Sequence, residues 1–163
     1  MDSTNTLQIH PSERLITPDG SQAEIDIEMV PLILALWALN LITVASCQDF
    51  GEGTAGQRWA YQRASRYGGD AFIAYYMGYA WLKMPLADAQ HLGNMLLGTE
   101  FHDMIAMRWT PGSWRMHIPL VFDQHRGVTS DDAAQIHFPR NQITNLTAIL
   151  ESIRSQPSGA PIA

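Results

Sequence analysis

The run "MVPLILALWALNLITVA", residues 29–45, constrains this chain more than any other stretch. It falls short of the ~20 apolar residues that a helix needs to cross a bilayer, and Pro31, Asn40 and Thr43 interrupt it. It therefore reads as a core helix followed by a strand. The helix follows Asp26 and runs to about Asn40, with Pro31 tolerated in its first turn. Leu32, Ile33, Leu34, Leu36, Trp37 and Leu39 make it apolar nearly all round, so it must be covered on most sides. The strand is "LITVASC", with β-branched Ile42, Thr43 and Val44. A chain of 163 residues can supply that cover as one domain without staples. Only 16% of its residues are charged, which predicts either a large buried share or an apolar surface used for self-association.

The remaining elements follow from periodicity and turn chemistry. "LQIH" and "RLITPDGSQAEIDI" predict a strand pair or bent strand around a "TPDG" turn. "TAGQRWAYQRASR" has helical composition after a Thr54 cap, and the glycines before it predict a loop. "DAFIAYYMGYAWLKMP" reads as a long strand, bulged at Gly78. Pro85 opens a helix through "PLADAQHLGNMLLG", which Gly98 stops. "WRMHIPLVF" alternates, with Met116, Ile118, Leu120 and Phe122 on its apolar face. A polar loop then leads to the strand "AQIHFP", and Ile143, Leu146, Ile149, Leu150 and Ile153 stripe a last helix. The expected fold is α+β: a single mixed or mainly antiparallel sheet with about three helices packed against it. Residues 1–6 and 155–163 are expected to be disordered tails around one domain, 7–154.

Charge and cysteine usage exclude several functions. A net charge of -6 offers no field for general nucleic-acid binding. One cysteine cannot form an internal disulfide or a thiolate metal site by itself. With an opening "MDSTNTLQIHPSER" that lacks a signal-peptide pattern, it predicts a cytoplasmic protein without membrane association. Phosphate-loop, GxGxxG, GxSxG and kinase signatures are absent, and no cofactor is specified. No HxH, HxxxH or HExxH spacing occurs, so no metal site is expected, and His117 and His137 read as an exposed pair across a hairpin.

What chemistry the sequence suggests gathers at "SCQDFGEGTAG". Cys47 ends a predicted strand, and the amides of Gly51, Gly53 and Gly56 could approach an anion closely. Ser46, Gln48, Arg58 and Arg63 would complete the wall of a pocket for a small polar or phosphorylated ligand. If a reaction occurs there, Cys47 attacks as a thiolate, and Asp49, His10, His117 or His137 handles the proton. The plainer reading makes Cys47 a small buried residue and "SCQD" a structural turn. Arg58, Gln62 and Arg66, with Arg63, Trp59 and Tyr61, form a basic stripe that either holds a phosphate or simply meets solvent. The rival function is an interaction module, a homodimer joined through the aromatic run "AFIAYYMGYAW", residues 71–81.

The segments "LWALNLITVASCQDFGEGTAGQR", "GYAWLKMPLADA" and "AQIHFPRNQITNLTAIL" carry a family likeness. Over residues 26–153 the chain resembles a group of small bacterial proteins with no assigned activity. That group shares an LWALG…T…SCQD core, a Pro-x-x-Asp-Ala helix start and an IHFP ending, which implies a recurrent fold and no particular chemistry. The stretch "PLILALWALNLITVASCQD" is also similar in layout to the helix–strand–SSCSGR element of the wybutosine-synthesising tRNA methyltransferase family. Ser46 and Cys47 match it, whereas Gln48, Asp49 and Phe50 depart from it. This second likeness implies where a pocket lies and leaves the substrate open.

Overall fold

The computed structural model describes residues 9–61, 69–106 and 110–156; the expected tails, apart from Ser155 and Gln156, lie outside them. Strands β1 (Ser12–Ile16) and β2 (Gln22–Asp26) form the predicted antiparallel hairpin. Its turn is held by Asp19, which accepts from the Ser21 amide and the Thr17 hydroxyl, while Gly20 takes the left-handed conformation at φ 87°. A 3-10 turn, Ile27–Met29, then leads into α1 (Val30–Ala38). Leu32, Ile33, Ala35 and Leu36 of α1 are buried. Asn40 ends the helix at φ 59°, and the Leu41 amide reaches back to the Leu36 carbonyl while that of Asn40 reaches Trp37. This is a Schellman closure, and buried Leu36 and Leu41 stand at its two ends.

Beyond it the chain follows the order β3 (Ala45–Cys47), α2 (Phe50–Tyr61), α3 (Gly69–Tyr76), β4 (Tyr79–Pro85), α4 (Leu86–Met95) and α5 (Phe101–Ala106). Then come β5 (Arg115–His117), β6 (Leu120–Asp123), β7 (Gly127–Ser130), β8 (Ala133–Pro139), a 3-10 turn and α6 (Ile143–Ser155). The α+β class holds, but the strands form three antiparallel sheets rather than one: β1-β2, β3-β4-β8-β5 and β6-β7. The described residues contain six α-helices, not three. No helix among them is long and apolar enough to cross a membrane.

Three element boundaries differ from expectation, each for a physical reason. The strand "LITVASC" shrinks to Ala45–Cys47, because Ile42 and Val44 stand 57% exposed and no neighbouring surface rewards their β-branching. The long aromatic strand is instead α3, a turn with Gly78 at φ 76°, and β4. Phe72 and Tyr76 are four residues apart, and as helical neighbours both pack on Phe50. "WRMHIPLVF" breaks after His117, since Pro119 has no amide for a ladder. Its would-be apolar face is exposed, with Phe122 79% accessible, and the polar loop after it forms the β6-β7 hairpin.

The four-stranded sheet has two unlike faces. Ala80, Leu82, Met84, Ala134, Ile136 and Phe138 alternate onto one side and join the α1 and α6 residues Leu32, Leu36, Leu146 and Leu150 in the core. On the other side, register aligns Cys47, Trp81, His137 and Arg115 in a single row across all four strands. Alternation keeps this row out of the core and leaves it to be covered by the α2 and α3 aromatics.

Candidate functional site

The exits of β2 and β3 meet beside the start of α2, and polar groups gather there. Asp26, the last residue of β2, accepts the Gln48 amide on Oδ2 at 2.8 Å, tying the hairpin to the end of β3. Gln48 is buried, and its Oε1 accepts the Glu28 amide at 3.3 Å. His10, also buried, places Nδ1 3.1 Å from Asp26 Oδ2 and Nε2 3.1 Å from Glu52 Oε2. Cys47 Sγ lies 3.7 Å from His10 Nδ1 and donates to the Asp49 carbonyl at 3.2 Å.

Cys47 is poorly placed to ionise as a free thiol. Burial pushes it up to about 12; the Asp49 hydrogen bond opposes this, and the Asp26 and Asp49 charges add to the rise. In metal-free native protein we expect iodoacetamide to react slowly at pH 7, with no fast plateau at low pH, whereas the denatured chain reacts as an ordinary cysteine. A fast native plateau below about pH 7 would show an accessible thiolate and reverse this assignment.

Asp49 works as a structural strut. It is 2% exposed and caps α2, with Oδ1 accepting the Glu52 amide at 3.0 Å. Oδ2 accepts the Gly78 amide at 3.0 Å and lies 3.6 Å from Arg140 Nη1. Arg140 also binds Glu28 through Nε at 2.7 Å and approaches Glu52 at 3.4 Å. The hydrogen bond from Arg140 is the main cause that holds the Glu28 carboxyl below its usual range.

The expected glycine loop is a correction: Gly51, Gly53 and Gly56 lie within α2, and the Gly53 amide donates to the Asp49 carbonyl at 2.9 Å. Thr54 is likewise an internal, buried residue and not the cap. What the glycines provide is close approach. A Cβ on Gly51 would meet the Met77 backbone at 2.5 Å, and one on Gly53 would lie 3.2 Å from Cys47 Sγ. Arg63 lies outside the described residues; Arg58 falls in α2, and its side chain lies outside them too. Cys47 is brought beside His10, one of the four proton-handling groups the sequence offered, with Gln48 and Asp49 next in the chain, whereas Ser46 faces the other side of β3. Asp26, Glu52 and Arg140 were missed. They stand in ordinary polar contexts, and the Arg140–Glu52 contact spans 88 positions, so no local spacing marks them.

On the outer row, His137 is 1% exposed and boxed by Phe50 at 4.9 Å and Tyr76 at 4.4 Å between ring centres. The exposed pair expected with His117 is therefore half buried. Arg115 is the residue opposite His137, and the two imidazoles stack diagonally at 5.7 Å. Arg115 itself lies over the Tyr75 and Tyr79 rings and donates to the Tyr75 carbonyl. Burial, then the neighbouring His117 charge, pushes His137 down to about 4. A depressed base is neutral in the fold, so its contribution is intact above about pH 6.5 and is lost as pH falls toward 4. The shift corresponds to roughly 3 kcal/mol. We expect urea midpoints of the wild type to fall over that window and the slope to shrink in His137→Phe.

A cleft of about 570 Å³ lies on the far side of β3, between the β1-β2 hairpin and the segment joining α1 to β3. Ala23, Ile25, Trp37, Ile42 and Val44 supply apolar lining, and Thr17, Asp19, Ser21, Gln22, Thr43 and Ser46 supply polar lining. The Ser46 hydroxyl is buried without a hydrogen-bond partner among the described residues. Compared with known proteins, the chain matches no family model, no curated protein and no solved structure.

Proposed function

We propose that this protein binds a small amphipathic molecule in the cleft beside β3. The observation that carries the reading is the 570 Å³ volume itself, apolar along Ile25, Trp37 and Val44, with hydrogen-bonding groups at Thr17, Asp19, Ser21 and Ser46. Pockets of this size and mixture suit a drug-sized organic ligand. Among the described residues Asp19 is the one charged group in the lining, so a neutral or cationic ligand fits better than a phosphorylated one. Cys47 pairs with Trp81 and Ser46 with Leu82, so the thiol stands on the opposite side of the strand from the serine. The cleft therefore supports binding more directly than cysteine chemistry.

The test is a thermal-shift titration with indole, tyramine and benzyl alcohol, read together with Trp37 fluorescence. Saturation to ten times Kd adds about 1.4 kcal/mol to stability. The gain is expected to vanish in Val44→Arg, whose side chain would fill the cleft. No saturable response to any of these probes at millimolar concentration overturns the reading.

A second reading, self-association, is favoured more by the β6-β7 hairpin than by residues 71–81, where Tyr75 and Met77 are exposed. Phe72 and Tyr76 of that run pack inward on Phe50, whereas Leu120, Phe122 and Val128 are exposed on an isolated two-stranded ribbon. Such a ribbon is marginal alone in water, and a second copy of the chain would cover it. Sedimentation of wild type against Phe122→Asp decides this: a dimer lost in the variant supports it, and a monomeric wild type at 100 μM ends it.

A further inference from the structure

We infer that His10, Asp26 and Cys47 form a binding site for a divalent cation of the zinc type. The donor atoms His10 Nδ1, Asp26 Oδ2 and Cys47 Sγ all lie within 4.8 Å of one another. Bond lengths of about 2.0 Å to nitrogen or oxygen and 2.3 Å to sulfur, at a tetrahedral angle, place N and O about 3.3 Å apart and N and S about 3.5 Å apart. The observed separations are 3.1 Å and 3.7 Å. The two separations that His10 makes match one ion, and Asp26 Oδ2 and Cys47 Sγ lie within 4.8 Å of each other.

The surroundings support the same assignment. His10 turns its other nitrogen to Glu52 Oε2 at 3.1 Å, the carboxylate–imidazole arrangement that holds a metal-binding histidine in one tautomer. With the Nε2 proton on that bond, Nδ1 carries a lone pair and faces the Asp26 carboxylate. In that tautomer a cation between the two acceptors, 3.1 Å apart, would bind both. Asp26 is oriented by the Gln48 amide, and Gly53 leaves the space beside Cys47 that a larger residue would take. The mixture of imidazole, carboxylate and thiolate selects a borderline metal such as Zn²⁺ or Co²⁺ over the hard, all-oxygen preference of Mg²⁺ or Ca²⁺. Binding exchanges the Cys47 thiol proton for the ion, and that proton leaves to solvent.

The ligands come from the approach to β1, the end of β2 and the end of β3, so the ion would clamp the hairpin onto the main sheet. Three protein donors leave a fourth position for water or an added ligand. This site lies across β3 from the proposed organic cleft, and neither proposal depends on the other.

The experiment titrates chelator-treated full-length protein with Co²⁺ and Zn²⁺, using Mg²⁺ as the control. A one-to-one cobalt complex with thiolate-to-metal charge-transfer absorption is expected, and zinc should raise the melting temperature where Mg²⁺ does not. Cys47→Ser should abolish the charge-transfer band, and Asp26→Asn should weaken cobalt binding at least tenfold. Circular dichroism checks the fold of each variant. Should a variant fail to fold, the charge-transfer band of the wild-type protein and its loss on adding zinc supply the decision without mutation. Absence of both the band and a zinc-dependent rise in melting temperature overturns the site and leaves His10 hydrogen-bonded between Asp26 and Glu52. Binding that persists unchanged in folded Cys47→Ser and Asp26→Asn overturns it as well.

Discussion

Gly51→Ala is expected to lower the urea midpoint sharply, even though alanine is the better helix former. Gly51 lies in the first turn of α2, where alanine would return about 1 kcal/mol of helix propensity. Its Cβ would sit 2.5 Å from both the Cα and the amide nitrogen of Met77 and 2.9 Å from the Ile73 carbonyl. These are backbone atoms, which cannot rotate aside, so α2 must lift from the chain that links α3 to β4. Overpacking of this kind costs about 1–3 kcal/mol, and contact with backbone places Gly51 at the upper end. Gly93→Ala in α4 is the control, because a Cβ there meets nothing within 4 Å. It should raise stability by about 0.5–1 kcal/mol. A neutral Gly51→Ala would mean that α2 does not rest on Met77 as described.

Asp49→Ala should be nearly as damaging, and Asp49→Asn should recover part of the loss. Alanine removes the cap on α2, worth about 0.5–2 kcal/mol. It also strands the Gly78 amide, and an unsatisfied buried donor costs about 1–3 kcal/mol. Asparagine keeps one oxygen, enough to cap Glu52 but not to satisfy Gly78 and Arg140 together. Hydrogen exchange at the Glu52 and Gly78 amides separates the two losses: both should accelerate in the alanine variant, and only Gly78 in asparagine. If Asp49→Ala unfolds at the wild-type midpoint, the strut assignment is wrong.

The charge network around Asp49 also explains why the residue looked chemical in the sequence. A carboxylate beside a cysteine and a run of glycines suggests acid–base work, and the same pattern suits a helix start packed against a turn. Only the partner positions separate the two readings. Gly78 and Arg140 are supplied by segments far along the chain, and Arg140 stands where Arg58 or Arg63 had been expected.

Elements defined by near neighbours were legible from residue order. The Asp19-Gly20 turn, the Pro31 helix start, Gly98 as a stop and the α6 stripe all rest on interactions a few residues apart, and each lies where the sequence placed it. Residues 70–76 were misread because aromatic and β-branched composition suits strands and packed helices alike, and Phe50 decided between them, while Tyr79–Pro85 is the strand expected. The α+β class and the placing of Cys47 at a strand end were within reach of sequence alone. Tertiary structure decided that the glycines lie in a helix, that His137 is buried, and that His10, Asp26 and Cys47 share one space. The reason is distance along the chain. His10 meets Asp26 across 16 positions, Cys47 across 37 and Glu52 across 42, and strand register, which no short-range spacing encodes, brings them together.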